Sequence, residues 1–214
     1  MSQPVANCPN CGAPVRFRFS SAVQSVCEYC RSIVVRRDVN LEKVGEVADL
    51  PPDPSPIQIG AEGVYRNRPF VVAGRILYEY SQGGWNEWHV VFSDGTSGWL
   101  SDAMAEYAVS LPVAPPPTPL PSAEQIHRGR KFQWFGIHYE VTVLTRARYR
   151  GVEGELPFEY WDKNEVLFAD LRSQEAHFAT IDYSDNPPLL FLGEAVEFDA
   201  LRLKNLRPVE GWDT

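Results

Sequence analysis

Short apolar runs and apolar–polar alternations fill most of this chain, and both are patterns of strands rather than of helices. Phe70–Tyr80 is largely β-branched and aromatic, and Trp88–Phe92 is a second such run. Ser93-Asp94-Gly95-Thr96 follows as a hairpin turn, with Asp-Gly supplying the positive φ angles. Ser97–Leu100 and Tyr107–Ser110 complete a first group of strands. A second group is predicted over Ile137–Ala147, Glu165–Phe168, His177–Tyr183, Leu189–Leu192 and Ala195–Leu201. Nearer the start, Val15–Phe19 alternates and Ile33–Val35 is a suitable partner. Helical periodicity is weak. Its candidates are Leu41–Leu50, Ser122–His127 and one turn over Ser101–Glu106 capped by Ser101.

The two groups resemble each other. Val90-Val91-Phe92-Ser93-Asp94 matches Val166-Leu167-Phe168-Ala169-Asp170, and Phe70-Val71-Val72 precedes one as Tyr139-Glu140-Val141 precedes the other. Each lobe reads as a small sheet that curls shut to hide its edges. Prolines mark the boundaries. One cluster lies at 51–56 and another at 112–121, and such stretches are stiff, donor-poor spacers. The expected organisation is a module over 1–40, a Pro-rich connection over 41–56, a β-barrel-like lobe over 57–111, a Pro-rich linker over 112–122 and a second lobe over 123–214. The expected fold is mostly β: a four-cysteine zinc ribbon, then two small SH3-like or Tudor-like barrels or one fused two-lobed β-structure.

The ribbon rests on the cysteines. Cys8-Pro-Asn-Cys11 and Cys27-Glu-Tyr-Cys30 hold all four cysteines of the chain. Two residues between cysteines let each loop fold back so that both sulfurs face one point, and two such pairs make a metal site. Gly12 supplies the left-handed turn of the first loop, whereas the second has Arg31 in that place. Four thiolates fill a tetrahedral shell and leave no position for water. One structural zinc is therefore expected, with iron, a redox dithiol pair and disulfides as alternatives. A module of this size has too little core to fold unaided, and the metal supplies the difference.

Charge narrows the function. The chain carries 20 Lys+Arg against 28 Asp+Glu, a net charge of −8. Residues 1–40 hold five Arg against Glu28 and Asp38, so a basic cap precedes an acidic body. Four thiolates on a zinc would offset much of that basic charge, and nucleic-acid binding through the ribbon is disfavoured. The first residues lack the pattern of a secretory signal, and no apolar run is long enough to cross a bilayer, so a cytoplasmic location without membrane insertion is expected.

Several stretches carry a family likeness: Cys8-Pro-Asn-Cys-Gly-Ala-Pro-Val15, Val26-Cys-Glu-Tyr-Cys-Arg-Ser, Ser55-Pro-Ile-Gln-Ile-Gly60, Trp85-Asn-Glu-Trp88, Gly154-Glu-Leu-Pro-Phe158 and Thr180-Ile-Asp-Tyr-Ser184. In these the chain resembles a bacterial zinc-ribbon family whose body is a domain of unknown function (number four-one-seven-eight). The resemblance implies no activity. It implies association with envelope-stress proteins and polyamine-synthesis enzymes.

The residues themselves offer little catalytic chemistry. His89, His127, His138 and His177 lie on separate segments, every cysteine is committed to metal, and no phosphate-binding loop is present. Carboxylates are plentiful, among them Glu87, Asp94, Glu155, Glu159, Asp162, Asp170 and Asp182. Asp94 reads as a turn residue and Asp182 as a solvated strand residue. The suggestive cluster is aromatic and acidic: Trp85, Glu87, Trp88 and Trp99, echoed by Glu159 and Trp161. Strand alternation puts Trp85 and Glu87 on one face and Trp88 on the other. An aromatic wall with a carboxylate attracts ammonium groups, while tryptophans in a barrel core are the plainer reading. The leading expectation is a non-enzymatic zinc-binding adaptor with protein partners, in a membrane-stress or polyamine-linked system. The second is an enzyme or enzyme accessory handling a cationic small molecule such as a polyamine.

Overall fold

The computed structural model describes residues 5–37, 40–47, 50, 54–116, 118–159 and 165–209. Fifteen strands and one 3-10 turn account for its regular structure. The cysteine module contributes β1 (Val5–Asn7), β2 (Pro14–Arg16), β3 (Gln24–Val26), β4 (Ser32–Arg37) and β5 (Asn40–Glu46). The first lobe has β6 (Glu62–Tyr65), β7 (Arg68–Tyr80), β8 (Gly83–Phe92), β9 (Ser97–Ala103) and β10 (Glu106–Val113). The second has β11 (Lys131–Trp134), β12 (Ile137–Leu156), β13 (Glu165–Arg172), β14 (His177–Asp182) and β15 (Leu189–Val196), followed by the 3-10 turn Phe198–Leu201.

The lobes are joined through their backbones. Each lobe is an antiparallel meander, and β10 pairs with β15 while β7 pairs with β12. The strands β7-β8-β9-β10-β15-β14-β13-β12 therefore close into a ring, and closure removes the edges of both meanders. The β7–β12 contact needs glycine: a Cβ on Gly74 would run into the carbonyl of Glu155.

The repeat is visible in hydrogen bonds. Gly60 N–H donates to Val72 O, and Val72 N–H to Ala61 O. Gly129 and Arg130 make the same pair of bonds with Val141. A register shift follows in both lobes, between Val72 and Gly74 and between Val141 and Val143. The predicted match of Phe70–Val72 with Tyr139–Val141 is in register. That of Val90–Asp94 with Val166–Asp170 is not: Val72 faces Val90, whereas Val141 faces Leu171. Apolar residues occupy both faces of these strands, so a likeness of composition aligned them wrongly. In the true register His89, Trp99 and Ser101 correspond to Asp170, Thr180 and Asp182.

Burial explains the two-sided apolar pattern. One face of β7–β10 packs Phe70, Val72, Trp88, Val90, Leu100 and Val109 against Ile57 and Leu201. The corresponding face of the second lobe packs Val141, Leu171, Ile181 and Leu190 against Ile126 and Trp134. The opposite faces look into the ring, where Ile76, Tyr78, Trp99, Tyr149 and Phe168 meet.

Four local expectations change, and the first is that Ser122–His127 forms a hydrogen-bonded turn rather than a helix. Leu41–Leu50 begins as β5 because its backbone completes the sheet edge at β4. Ser101–Glu106 is the β9–β10 hairpin, turning at Met104 and Ala105 with φ of 54° and 63°. The predicted strand Ala195–Leu201 ends at Val196 and continues as the 3-10 turn. Within the stretch read as a linker, Pro112 and Val113 belong to β10, and the Pro121 carbonyl accepts a hydrogen bond from Tyr183 Oη at 3.1 Å.

Candidate functional site

Two places gather chemistry: the cysteine module and the interior of the ring. In the module the two knuckles share one geometry. Cys8 N–H donates to Ala13 O and Gly12 N–H to Cys8 O. Cys27 N–H donates to Ser32 O and Arg31 N–H to Cys27 O. Gly12 has φ of 76°, and Arg31 adopts the same left-handed turn at 59°. All four cysteines are free thiols. Their sulfurs lie within 4.8 Å of one another, with Cys8–Cys30 at 3.7 Å and Cys11–Cys27 at 3.8 Å. A tetrahedron with metal–sulfur bonds of about 2.3 Å has edges of about 3.8 Å. The residues thus fit one tetrahedral metal ion. The Ser32 hydroxyl, 3.2 Å from Cys30 Sγ, favours the thiolate and helps hold that thiol down to about 5.

The module is docked on the ring. β3 pairs with the end of β12, Ser25 facing Glu155 and Gln24 facing Leu156. The Glu155 carboxylate is buried and accepts the amides of Arg18 at 2.8 Å and Phe19 at 3.1 Å. Burial raises its pKa, and those amides oppose the shift. The Glu155 carbonyl lies 2.8 Å from His89 Nδ1, which must therefore carry the proton, while Nε2 accepts from Ser97 Oγ at 3.0 Å. Burial pushes the His89 pKa down to about 4, so the ring is neutral.

Inside the ring lies a cavity of about 340 Å³. Its apolar walls include Ile76, Tyr78, Trp99, Phe168 and Phe191, with Phe158 beyond the end of β12. Its polar groups include Glu87, Ser101, Ser110, Thr180, Asp182 and, towards one side, Glu159 and Asp185. Among the described residues no Lys, Arg or His lines it. Both Glu87 oxygens lie 2.9 Å from Ser101 Oγ, and Trp85 Nε1 donates to Oε1 at 2.9 Å. Thr180 Oγ1 donates to Asp170 Oδ1 at 2.8 Å. Burial raises Glu87 to about 8; Ser101 and Trp85 oppose it, and Asp170 and Asp182 add to it. Burial also raises Asp170 and Asp182.

Of the residues singled out from sequence, Glu87, Trp99 and Glu159 line this cavity. Trp85 stands beside it, stacked on Tyr78 with centroids 5.0 Å apart. Trp88 is 1 % exposed and faces the other way, into the first lobe's core, with the Arg75 guanidinium 5.1 Å from its ring centroid. Trp161 and Asp162 lie outside the described residues. Asp94 caps its turn, accepting from the Thr96 amide at 2.9 Å. Asp182, expected as a solvated strand residue, is half-buried on the cavity wall, where its Oδ1 accepts the Ser184 amide at 2.7 Å. The sequence reading also missed Ser101 and Thr180 as luminal groups. The signal was the two-sided burial of β13 and β14, which places Phe168 and Asp170 on the face opposite Leu167, Ala169 and Leu171.

Fold and site define a β-ring protein with a four-cysteine module and an acidic, aromatic interior. Residues 58–198 match the family described as a domain of unknown function (DUF4178), and the chain belongs to that family. The match spans the ring and leaves the cysteine module outside. No curated protein and no solved structure matches the chain. No helix among the described residues is long and apolar enough to cross a membrane.

Proposed function

We propose that this protein is a zinc-braced β-barrel that binds an organic amine in its lumen and performs no reaction on it. One observation carries this reading: carboxylates share an aromatic cavity that no basic side chain lines among the described residues. Withdrawing carboxylates from water is unfavourable unless a cation or a proton accompanies them. An ammonium group against Tyr78 or Trp99 would gain roughly 0.5–2 kcal/mol from the ring and more from the carboxylates. A metal ion suits this cavity less well. Among the described residues the cysteines form the one set of three or more ligand atoms at metal-binding separation. Spread-out carboxylates favour an extended ligand with more than one cationic centre. The cysteine geometry supports zinc in the module, since tetrahedral tetrathiolate sites are its usual structural form.

Calorimetric titration of the zinc-loaded protein with spermidine, and with a neutral alkyl alcohol of similar length, tests the reading. Saturable heat is expected from spermidine alone. Burial holds the Glu87 pKa up at about 8, so binding of an ammonium group should release a proton and the heat should vary with the buffer's ionisation enthalpy. Glu87→Gln and Asp182→Asn should each weaken binding by about tenfold or more, about 1.4 kcal/mol. No heat at millimolar spermidine, or equal binding of the alcohol, overturns the reading.

A further inference from the structure

The cysteine module and the lumen share one stretch of chain, residues 155–159. On one side this stretch is held by the module. Arg18 and Phe19 amides bind the Glu155 carboxylate, Val23 N–H donates to Leu156 O at 2.9 Å, and Arg37 Nη2 lies 2.8 Å from Glu159 Oε2. On the other side the same stretch is cavity wall. Phe158 lies against Trp99 with ring centroids 5.7 Å apart, and Phe158 and Glu159 both line the lumen. The holding groups come from the loop between the knuckles and from β4, whose positions depend on the knuckles being closed. Arg18 to Val23 lie between Cys11 and Cys27, and β4 begins two residues after Cys30.

We propose that the cysteine module is a clamp on the wall of the lumen, so that metal binding and amine binding are thermodynamically coupled. With the four sulfurs gathered, the loop between the knuckles presents its amides to Glu155, and Leu156, Phe158 and Glu159 are fixed. With the sulfurs released, that loop loses its shape, the stretch loses its anchors, and Phe158 no longer closes on Trp99. Coupling is reciprocal: whatever factor the metal adds to amine affinity, the amine must add to metal affinity. The amine half of this coupling rests on the lumen being an amine site, whereas the clamp itself does not.

Hydrogen exchange on the full chain, before and after metal extraction, tests the clamp without any ligand. Amides of Glu155 and Leu156, in the ladder with β3, should lose protection on extraction while those of β9 and β10 keep theirs. Unchanged protection at 155–156 overturns the proposal. Extraction could also unfold the whole chain, so Glu155→Gln, which leaves all four sulfurs in place, provides the second arm. It should retain one metal per chain yet show the same local loss at 155–156, and full protection there overturns the clamp. The ligand arm measures zinc affinity by chelator competition with and without spermidine. A gain on the order of tenfold with spermidine is expected. Spermidine that binds without changing zinc affinity overturns the coupling. Spermidine that fails to bind overturns the proposed amine site, and exchange at 155–156 then decides the clamp by itself.

Discussion

The carboxylate of Glu87 sits with both oxygens 2.9 Å from the hydroxyl of Ser101, inside a ring of strands and beside an aromatic wall. A single hydroxyl and the indole N–H of Trp85 are modest compensation for a half-buried charge in an apolar wall, and the pKa of about 8 follows from that shortfall.

Stability should therefore depend on pH in part through this residue, beside Asp170 and Asp182. The folded pKa lies above the ordinary value of 4.5, so the folded state holds a proton that the unfolded chain has released. Its contribution is full below about pH 4.5 and is lost as pH rises towards 8. Glu87→Gln removes this part of the dependence. Thermal melts should give the variant a Tm close to wild type at pH 4 and above it at pH 8, by roughly 2–4 °C for each kcal/mol recovered. A constant difference across that range would show that Glu87 does not titrate in the fold.

Elemental analysis should find one zinc per chain, and Cys11→Ser should lose it. A module joined only through prolines would then unfold by itself. The β3–β12 pairing and the Glu155 contacts instead predict that the main thermal transition of the ring also moves to lower temperature. A Tm unchanged within error in the variant would mean that the module contributes nothing to the ring.

Trp88 tests which tryptophans belong to the lumen. It is packed in the first lobe's core, and its indole N–H has no acceptor among the described residues. Trp88→Ala should cost about 3–5 kcal/mol in denaturant unfolding. Trp88→Phe should cost much less, since it removes the unpaired N–H with part of the ring. Neither change should alter the affinity for spermidine in the protein that remains folded. A selective loss of affinity in Trp88→Phe would place the binding face elsewhere.

An endoprotease that cuts after proline should nick the chain between 114 and 120, where the described residues are mostly exposed and where bonds before proline resist other proteases. The halves should then co-migrate in size-exclusion chromatography, because β10–β15 and β7–β12 pairing spans the cut. Separation under native conditions would contradict the closed ring.

The legible parts of this protein were those with local signatures. The Cys-x-x-Cys pairs announced a metal-sized cluster because their spacing alone dictates how the loops fold back. Asp94-Gly95 announced a turn, and Trp85 and Glu87 were assigned one face because strand alternation is a local rule. What escaped was set by pairing distant in sequence. Whether the lobes curl separately or join depends on β10 meeting β15 and β7 meeting β12, which no single segment encodes. The role of Asp182 escaped for the same reason: a polar residue between apolar neighbours looks solvated until the other half of the ring closes over it. The register of the repeat was misjudged because β8 and β13 are apolar on both faces, so a shift leaves the composition almost unchanged.

The β10–β15 ladder pairs Leu111 with Leu192, which occupy corresponding places in the two lobes. Corresponding strands therefore lie antiparallel across the seam, related by an approximate twofold axis. One lobe by itself would present two long bare edges, and a second copy of the same lobe would satisfy both. A lobe of this shape standing alone would therefore be completed by a copy of itself, with two like halves facing the interior. Within one polypeptide the two halves need not match: Trp99 and Ser101 line the cavity from one lobe where Thr180 and Asp182 line it from the other, and Glu87 stands where the second lobe has Phe168.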